Sequence, residues 1–321
     1  MPASLPLEIK QNILTLATRT RSQAAKNLMI SRQTYPCMEK LVYNRILLHG
    51  ESNVRRFLQC LHQRPLPVEF AQKSVASLFL VGSIEKSSLL DILFLCNRIT
   101  SIRLVLITDE FATDGSSLWS ALDALPLQSF LLVMHVEFTS PICASTMFKN
   151  LSHLDIHGDH LLDMPHAGLE SLEALTHLCV TLIMERADPT AITRLISNAR
   201  LRLLAFRVDD PHHEVEEFLE EHEISDHRIV LLPETTTLWG ELGQGDMLVW
   251  ELAEDQTKLP IPQNQGHRCL PLSSIENAYA DYNDTEKIPE WNPCAIERRP
   301  MRVNVGPARR PNGVGMARTK V

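Results

Sequence analysis

Leu151-Ser152-His153-Leu154-Asp155-Ile156 and, twenty-four residues later, Leu175-Thr176-His177-Leu178-Cys179-Val180 decide how this chain folds. Both stretches read apolar-x-x-apolar-x-apolar. The same unit occurs as Val75-Leu78-Leu80, Ile99-Ile102-Leu104, Leu127-Phe130-Leu132 and Leu201-Leu204-Phe206, with a weaker copy around Ile229 and Leu231. The central apolar residue falls at 78, 102, 130, 154, 178, 204 and 229, in steps of 24, 28, 24, 24, 26 and 25. Each unit predicts a short strand whose alternate side chains point into a core. The segments between them, 84–96, 116–124, 189–199 and 212–222, are helix-like, and Asp188-Pro189 and Asp210-Pro211 are good helix starts. One unit cannot bury its own apolar face, so the copies must stack into a solenoid.

The spacing fits the 20–29 residue period of leucine-rich repeats. The expected fold class is therefore α/β: a leucine-rich-repeat solenoid, a curved parallel sheet with outer helices. The rival, a doubly wound open sheet, tolerates variable spacing and usually places a Gly-rich loop after an early strand. Neither feature is present.

The flanks read differently. Residues 1–50 are expected to form a small all-α domain and 51–69 a helical linker that reaches Pro65. Ser4 suits a helix cap and Pro6 a first turn. Ile46-Leu47-Leu48 reads as extended. Residues 70–255 are the solenoid. Its segment 236–255, with Trp239 and Trp250, suits a cap that closes the last open core face. Residues 256–321, interrupted by eight of the 19 prolines, read as a disordered tail that is basic at its end. From Arg298 to Val321 there are seven Lys/Arg and no Asp/Glu.

Composition bounds the function. The 321 residues are 44% hydrophobic and 22% charged, enough for a packed core. A net charge of −8 argues against a whole-chain nucleic-acid binder. Seven scattered cysteines without a CxxC pair fit a reducing compartment. With no secretory signal and no long apolar span, the expected location is cytoplasmic or nuclear. No GxSxG elbow, Walker loop, dinucleotide fingerprint or zincin motif is present, so no enzyme activity, cofactor or metal is expected.

The first fifty residues resemble an F-box. Leu5-Pro6-Leu7-Glu8-Ile9 matches the family's opening Leu-Pro-x-Glu-Ile/Leu. Ile13-Leu14, Leu28-x-Ile30-Ser31-Arg32, Leu41-x-Tyr43 and Ile46-x-Leu48 continue the match. Tyr35-Pro36 departs from it, since the family usually carries Trp in that zone. Over about residues 5–252 the order is similar to divergent fungal-type F-box/leucine-rich-repeat proteins. The resemblance implies a substrate-recognition adaptor of an SCF-type ubiquitin ligase. A Skp-type adaptor would meet Leu5, Pro6, Leu7, Ile9 and Ile13, with Leu28, Ile30 and Tyr43 either sharing the contact or supporting it from the small helical core, and an unknown protein target would meet the repeats. Membrane and nucleic acid are not expected partners. The alternative is a leucine-rich-repeat interaction scaffold without a ligase role, whose F-box-like segment only caps the solenoid.

The candidate target surface is the concave face, with Arg103, His153, Asp155, His157, His177 and Arg207. His153, Asp155 and His157 occupy the outward positions of one strand, and His177 and Cys179 the equivalent positions of the next, about 4.8 Å away. With His160 nearby, the set holds enough donors for a transition metal. A polar surface awaiting a partner is the simpler expectation, because coordination also demands orienting groups behind the ligands. The nine acidic residues of Asp209–Asp226 read as a solvated helix face.

Overall fold

A computed structural model of the chain describes residues 9, 12–13, 35–107, 115–133, 145–157, 168–184, 187–208, 212–233, 248–258 and 268–270. Leu5, Pro6, Leu7, Leu28, Ile30, His160, Trp239 and the basic stretch from Arg298 lie outside them.

Nine strands form one parallel sheet in strict chain order. They are β1 (Arg45–His49), β2 (Ser77–Gly82), β3 (Ser101–Leu106), β4 (Ser129–Val133), β5 (His153–His157), β6 (His177–Leu182), β7 (Leu203–Val208), β8 (Ile229–Pro233) and β9 (Arg268–Cys269). The register pairs Leu78 with Ile102, then Phe130, Leu154, Leu178, Leu204 and Ile229. All seven are buried. The column runs one strand further back than the repeat spacing indicated, because Ile46 pairs with Leu78.

Helices cover the outer side. They are α1 (Tyr35–Asn44), α2 (Gly50–His62), α3 (Pro67–Ser74), α4 (Lys86–Leu95), α5 (Ser116–Asp123), α6 (Pro189–Ser197) and α7 (His212–Glu221). Short 3-10 turns, Thr146–Asn150 and Leu169–Ser171, take the helix position before β5 and β6. Asp188 starts α6 as the sequence predicts: its carboxylate accepts the Thr190 N–H at 2.9 Å and Pro189 occupies the first turn. On α7, Val215 and Leu219 are buried while Glu214, Glu217, Glu220 and Glu221 are exposed, so its acidic run is a solvated face.

One apolar cluster runs from Met38, Val42 and Tyr43 on α1 through the strand column to Leu231 on β8. The core is thus continuous across residues 50 and 70. A second ladder binds the repeats just before each strand. Thr100 N–H donates to the Ala76 carbonyl (2.9 Å), Gln128 to Thr100 (2.7 Å), Ser152 to Gln128 (2.9 Å), Thr176 to Ser152 (3.0 Å) and Arg202 to Thr176 (2.7 Å). The Ser152 and Thr176 hydroxyls donate to the same carbonyls as their own N–H groups, each at 3.0 Å. Side-chain clasps add to this. Asp123 accepts from the Ser145 hydroxyl (2.6 Å) and the Met147 N–H (2.9 Å), and Arg228 donates to the Asn198 and Leu201 carbonyls at 2.9 Å each.

The end of the array departs from expectation. The helix α8 (Leu248–Lys258) does not close the end of the outer core. It lies on the other, inner face, where Trp250 and Ala253 join Cys179, Leu203, Ala205, Val230, Leu232 and Leu270 in a separate apolar cluster. The cause is local. β7 and β8 are apolar on both faces, and a strand of that kind needs cover on both sides. Nor is the chain without structure from residue 256. The helix continues to Lys258, β9 pairs with β8, and Leu270 is fully buried. Three residues were enough because β8 offers an unpaired edge. Among the described residues no helix is long and apolar enough to cross a membrane.

Leu154→Ala or Leu178→Ala should cost about 2–5 kcal/mol by cavity formation, measured by urea denaturation. Leu270→Ala should cost about 2 kcal/mol or more by the same route, where an unstructured position would show no change.

Candidate functional site

Strand alternation sends one set of side chains outward into the core and the other to the inner face. Arg103, His153, Asp155, His157, His177 and Arg207 all belong to the inner set, as their register shows. Arg103 pairs with Leu131 and Leu131 with Asp155, His153 pairs with His177, and Arg207 pairs with Thr181. The sheet therefore brings the six expected residues to one face over β3–β7.

Their polar groups are engaged with the protein itself. Arg207 reaches across β6 to Asp155 and grips it with two parallel bonds, Nη1 to Oδ1 and Nη2 to Oδ2, the second at 2.7 Å. The pair is nearly closed to water, with Arg207 1% and Asp155 5% exposed. Such a fork fixes orientation as well as charge. Arg103 is also buried, with its guanidinium over the Phe79 ring at 5.8 Å.

The two histidines form the second feature. In-register positions on neighbouring strands place their rings face to face, 4.2 Å apart and 9° from parallel. Trp250 of α8 meets both rings edge-on, at 5.6 Å and 5.7 Å. His177 Nε2 bonds Glu254 Oε1 at 2.7 Å, and Nδ1 contacts the Thr176 hydroxyl at 2.8 Å. His153 Nδ1 contacts the Ser152 hydroxyl at 2.9 Å. Its Nε2 is buried and has no hydrogen-bond partner among the described residues. Burial pushes the His153 imidazole down to about 4, helped by the neighbouring His177. Burial also lowers His177, although Glu254 pulls in the opposite direction. The favoured state of the pair at neutral pH is thus uncharged. With a proton on His177 Nε2, that state satisfies the Glu254 carboxylate, and the Thr176 hydroxyl then turns its one proton from the Ser152 carbonyl to His177 Nδ1.

These contacts limit the chemistry. Cys179 is buried in the apolar cluster that α8 joins. Burial pushes the Cys96 thiol up to about 12, and burial with the adjacent Glu216 does the same to Cys269, so neither is a thiolate near neutral pH. Among the described residues no three His, Cys, Asp or Glu side chains are placed to hold one metal ion.

Of the expected adaptor-facing residues, Ile9 and Ile13 are helical and exposed at 45% and 49%. Tyr43 is buried, the supporting position of the two expected for it. It packs edge-to-face on Phe70 at 5.0 Å and accepts a bond from Arg64 Nη2 at 3.1 Å, while Arg64 also pairs with Glu39 at 2.6 Å. Tyr43 therefore supports the join between α1, α2 and α3. Sequence reasoning missed Glu254 and the role of Trp250. The signal was there: Trp250, Ala253 and Glu254 share one helix face, and both faces of β7 and β8 are apolar. No family model matches the chain, and no curated protein matches its sequence.

Removing one member of the buried ion pair leaves the other charge stranded. Arg207→Ala or Asp155→Ala should cost about 3–5 kcal/mol in chemical denaturation. The double change Asp155→Leu with Arg207→Met should recover most of that loss. A double variant whose loss equals the sum of the two single losses would show that the pair is not coupled.

Proposed function

We propose that this chain is the substrate-recognition adaptor of an SCF-type ubiquitin ligase. Its F-box-like segment would hold a Skp-type adaptor, and its sheet, read as a leucine-rich-repeat solenoid, would hold the target protein. The observation that carries the reading is the exposure of Ile9 and Ile13, two large apolar side chains one helical turn apart. They stand ahead of the array, at positions where the F-box resemblance puts adaptor contacts. Interfaces draw most of their energy from a few such apolar anchors. The register steps of 24–28 residues from β2 to β8 support the repeat reading.

A second reading keeps the scaffold and drops the ligase. What favours it is the burial of Met38, Val42 and Tyr43 in the same core as Ile46 and Leu78. The stretch from α1 to β1 then serves as the cap that the first repeat needs.

Co-expression with a Skp-type adaptor separates the two. The wild-type chain should co-purify with the adaptor. Ile9→Asp combined with Ile13→Asp should reduce capture more than about tenfold with an unchanged circular dichroism spectrum, since both side chains are exposed. No binding by the wild-type chain at tens of micromolar would end the ligase reading and leave the scaffold.

A further inference from the structure

We propose that α8 is a proton-gated strap: it lies over the inner face of β6–β8 while His153 and His177 are neutral, and it lifts when the pair takes up protons. Among the described elements α8 alone packs on that face. It is held from both ends by strands that belong to the sheet, β8 ending at Pro233 and β9 starting at Arg268. Among its described side chains Trp250 and Ala253 are buried in the inner-face apolar cluster, Leu252 packs against it, and Glu254 bonds His177. Glu251, Asp255 and Lys258 on its other side are exposed.

The histidine stack sits under those anchors. Two imidazolium rings face to face at 4.2 Å repel, and the covering Trp250 keeps water from them. The charged groups acting on the rings are Glu254 from α8, Arg202 from the residue before β7, and the rings themselves. Asp155 and Arg207 on the same face are bound to each other. Glu254 can neutralise a charge on His177, while Arg202 opposes it. No described group is bonded to the buried His153 Nε2, so a charge on that ring has no hydrogen-bond acceptor while the strap is closed, and burial together with His177 outweighs the attraction of Glu254. In the open state both rings reach water and regain their ordinary affinity for protons.

The direction of the switch follows from linkage. The closed state binds protons more weakly than the open one, so closure is fully favoured above the ordinary imidazole value of about 6.5. It is lost progressively as pH falls from there towards about 4, where buried His153 itself titrates. Opening would uncover the apolar patch of Leu203, Ala205, Val230 and Leu232. That a target then occupies the patch rests on the proposed function, but the gating does not.

Hydrogen exchange of the full-length chain, read by mass spectrometry and corrected for intrinsic rates, tests the strap. Between pD 7.5 and pD 5.0 the amides of 250–258 should lose more than about tenfold in protection, while those of β3 change less than about twofold. His153→Phe keeps an aromatic ring in the stack but cannot take a proton. It should leave protection at pD 7.5 unchanged and remove the loss at pD 5.0. Should that variant fail to fold, His177→Gln, which can still donate to Glu254, is read the same way. Constant protection of α8, an equal loss in β3, or an undiminished loss in the folded variant would each overturn the proposal.

Discussion

Each strand from β1 to β8 carries two or three apolar core-facing side chains that no residue of its own repeat can cover. Their partners are the equivalent side chains one repeat away, and this single requirement organises the molecule. Ile46, Leu78, Ile102, Phe130, Leu154, Leu178, Leu204 and Ile229 form one buried column because each shields the next. The backbone follows suit. The carbonyls of Ala76, Thr100, Gln128, Ser152 and Thr176 accept from the repeat that follows, so polar groups are satisfied by the same stacking that buries the apolar ones. A repeat array of this kind gains stability from neighbours rather than from a central nucleus, and its two ends are where special solutions are needed.

Both ends received one. At the start, α1–α3 bury Met38, Val42 and Tyr43 against the first strands. At the finish, two residues of β9 pair along β8 and the helix α8 turns back over the inner face. That return encloses His177 and the apolar inner-face residues of β7 and β8. The Asp155–Arg207 fork and the stacked histidines border an apolar patch that α8 covers, and His153 Nε2 is buried there with no hydrogen-bond partner among the described residues. An inner face closed by the chain's own helix is a surface whose availability depends on that helix.

Much of this was legible in the sequence. The period of 24–28 residues gave the strands, their order and the buried column, because side-chain alternation and stacking leave little freedom. The pairing of His153 with His177 could be read from the same register. Other features were not local enough to read. β1 stands 32 residues from β2, outside the period, so Ile46-Leu47-Leu48 could be read as extended but not as the first strand of the array. β9 is too short to show any alternation. Amphipathicity identified α8 as a helix but not which face of the sheet it would choose. That depended on the double-sided apolar character of Leu203-Leu204-Ala205-Phe206 and Ile229-Val230-Leu231-Leu232. The Asp155–Arg207 bond crosses an intervening strand diagonally, a relation that spacing alone does not encode.

The central claim is the parity of the sheet: odd-numbered residues of β6 and β7 and even-numbered residues of β8 form an inner face, and Trp250 covers it. Nuclear Overhauser contacts from the Trp250 indole, in protein with labelled methyl groups, address it directly. The account predicts contacts to methyls of the inner set Leu203, Ala205, Val230 and Leu232, together with the His153 and His177 ring protons. Contacts instead to Leu204 and Leu231, or to neither set, would contradict it.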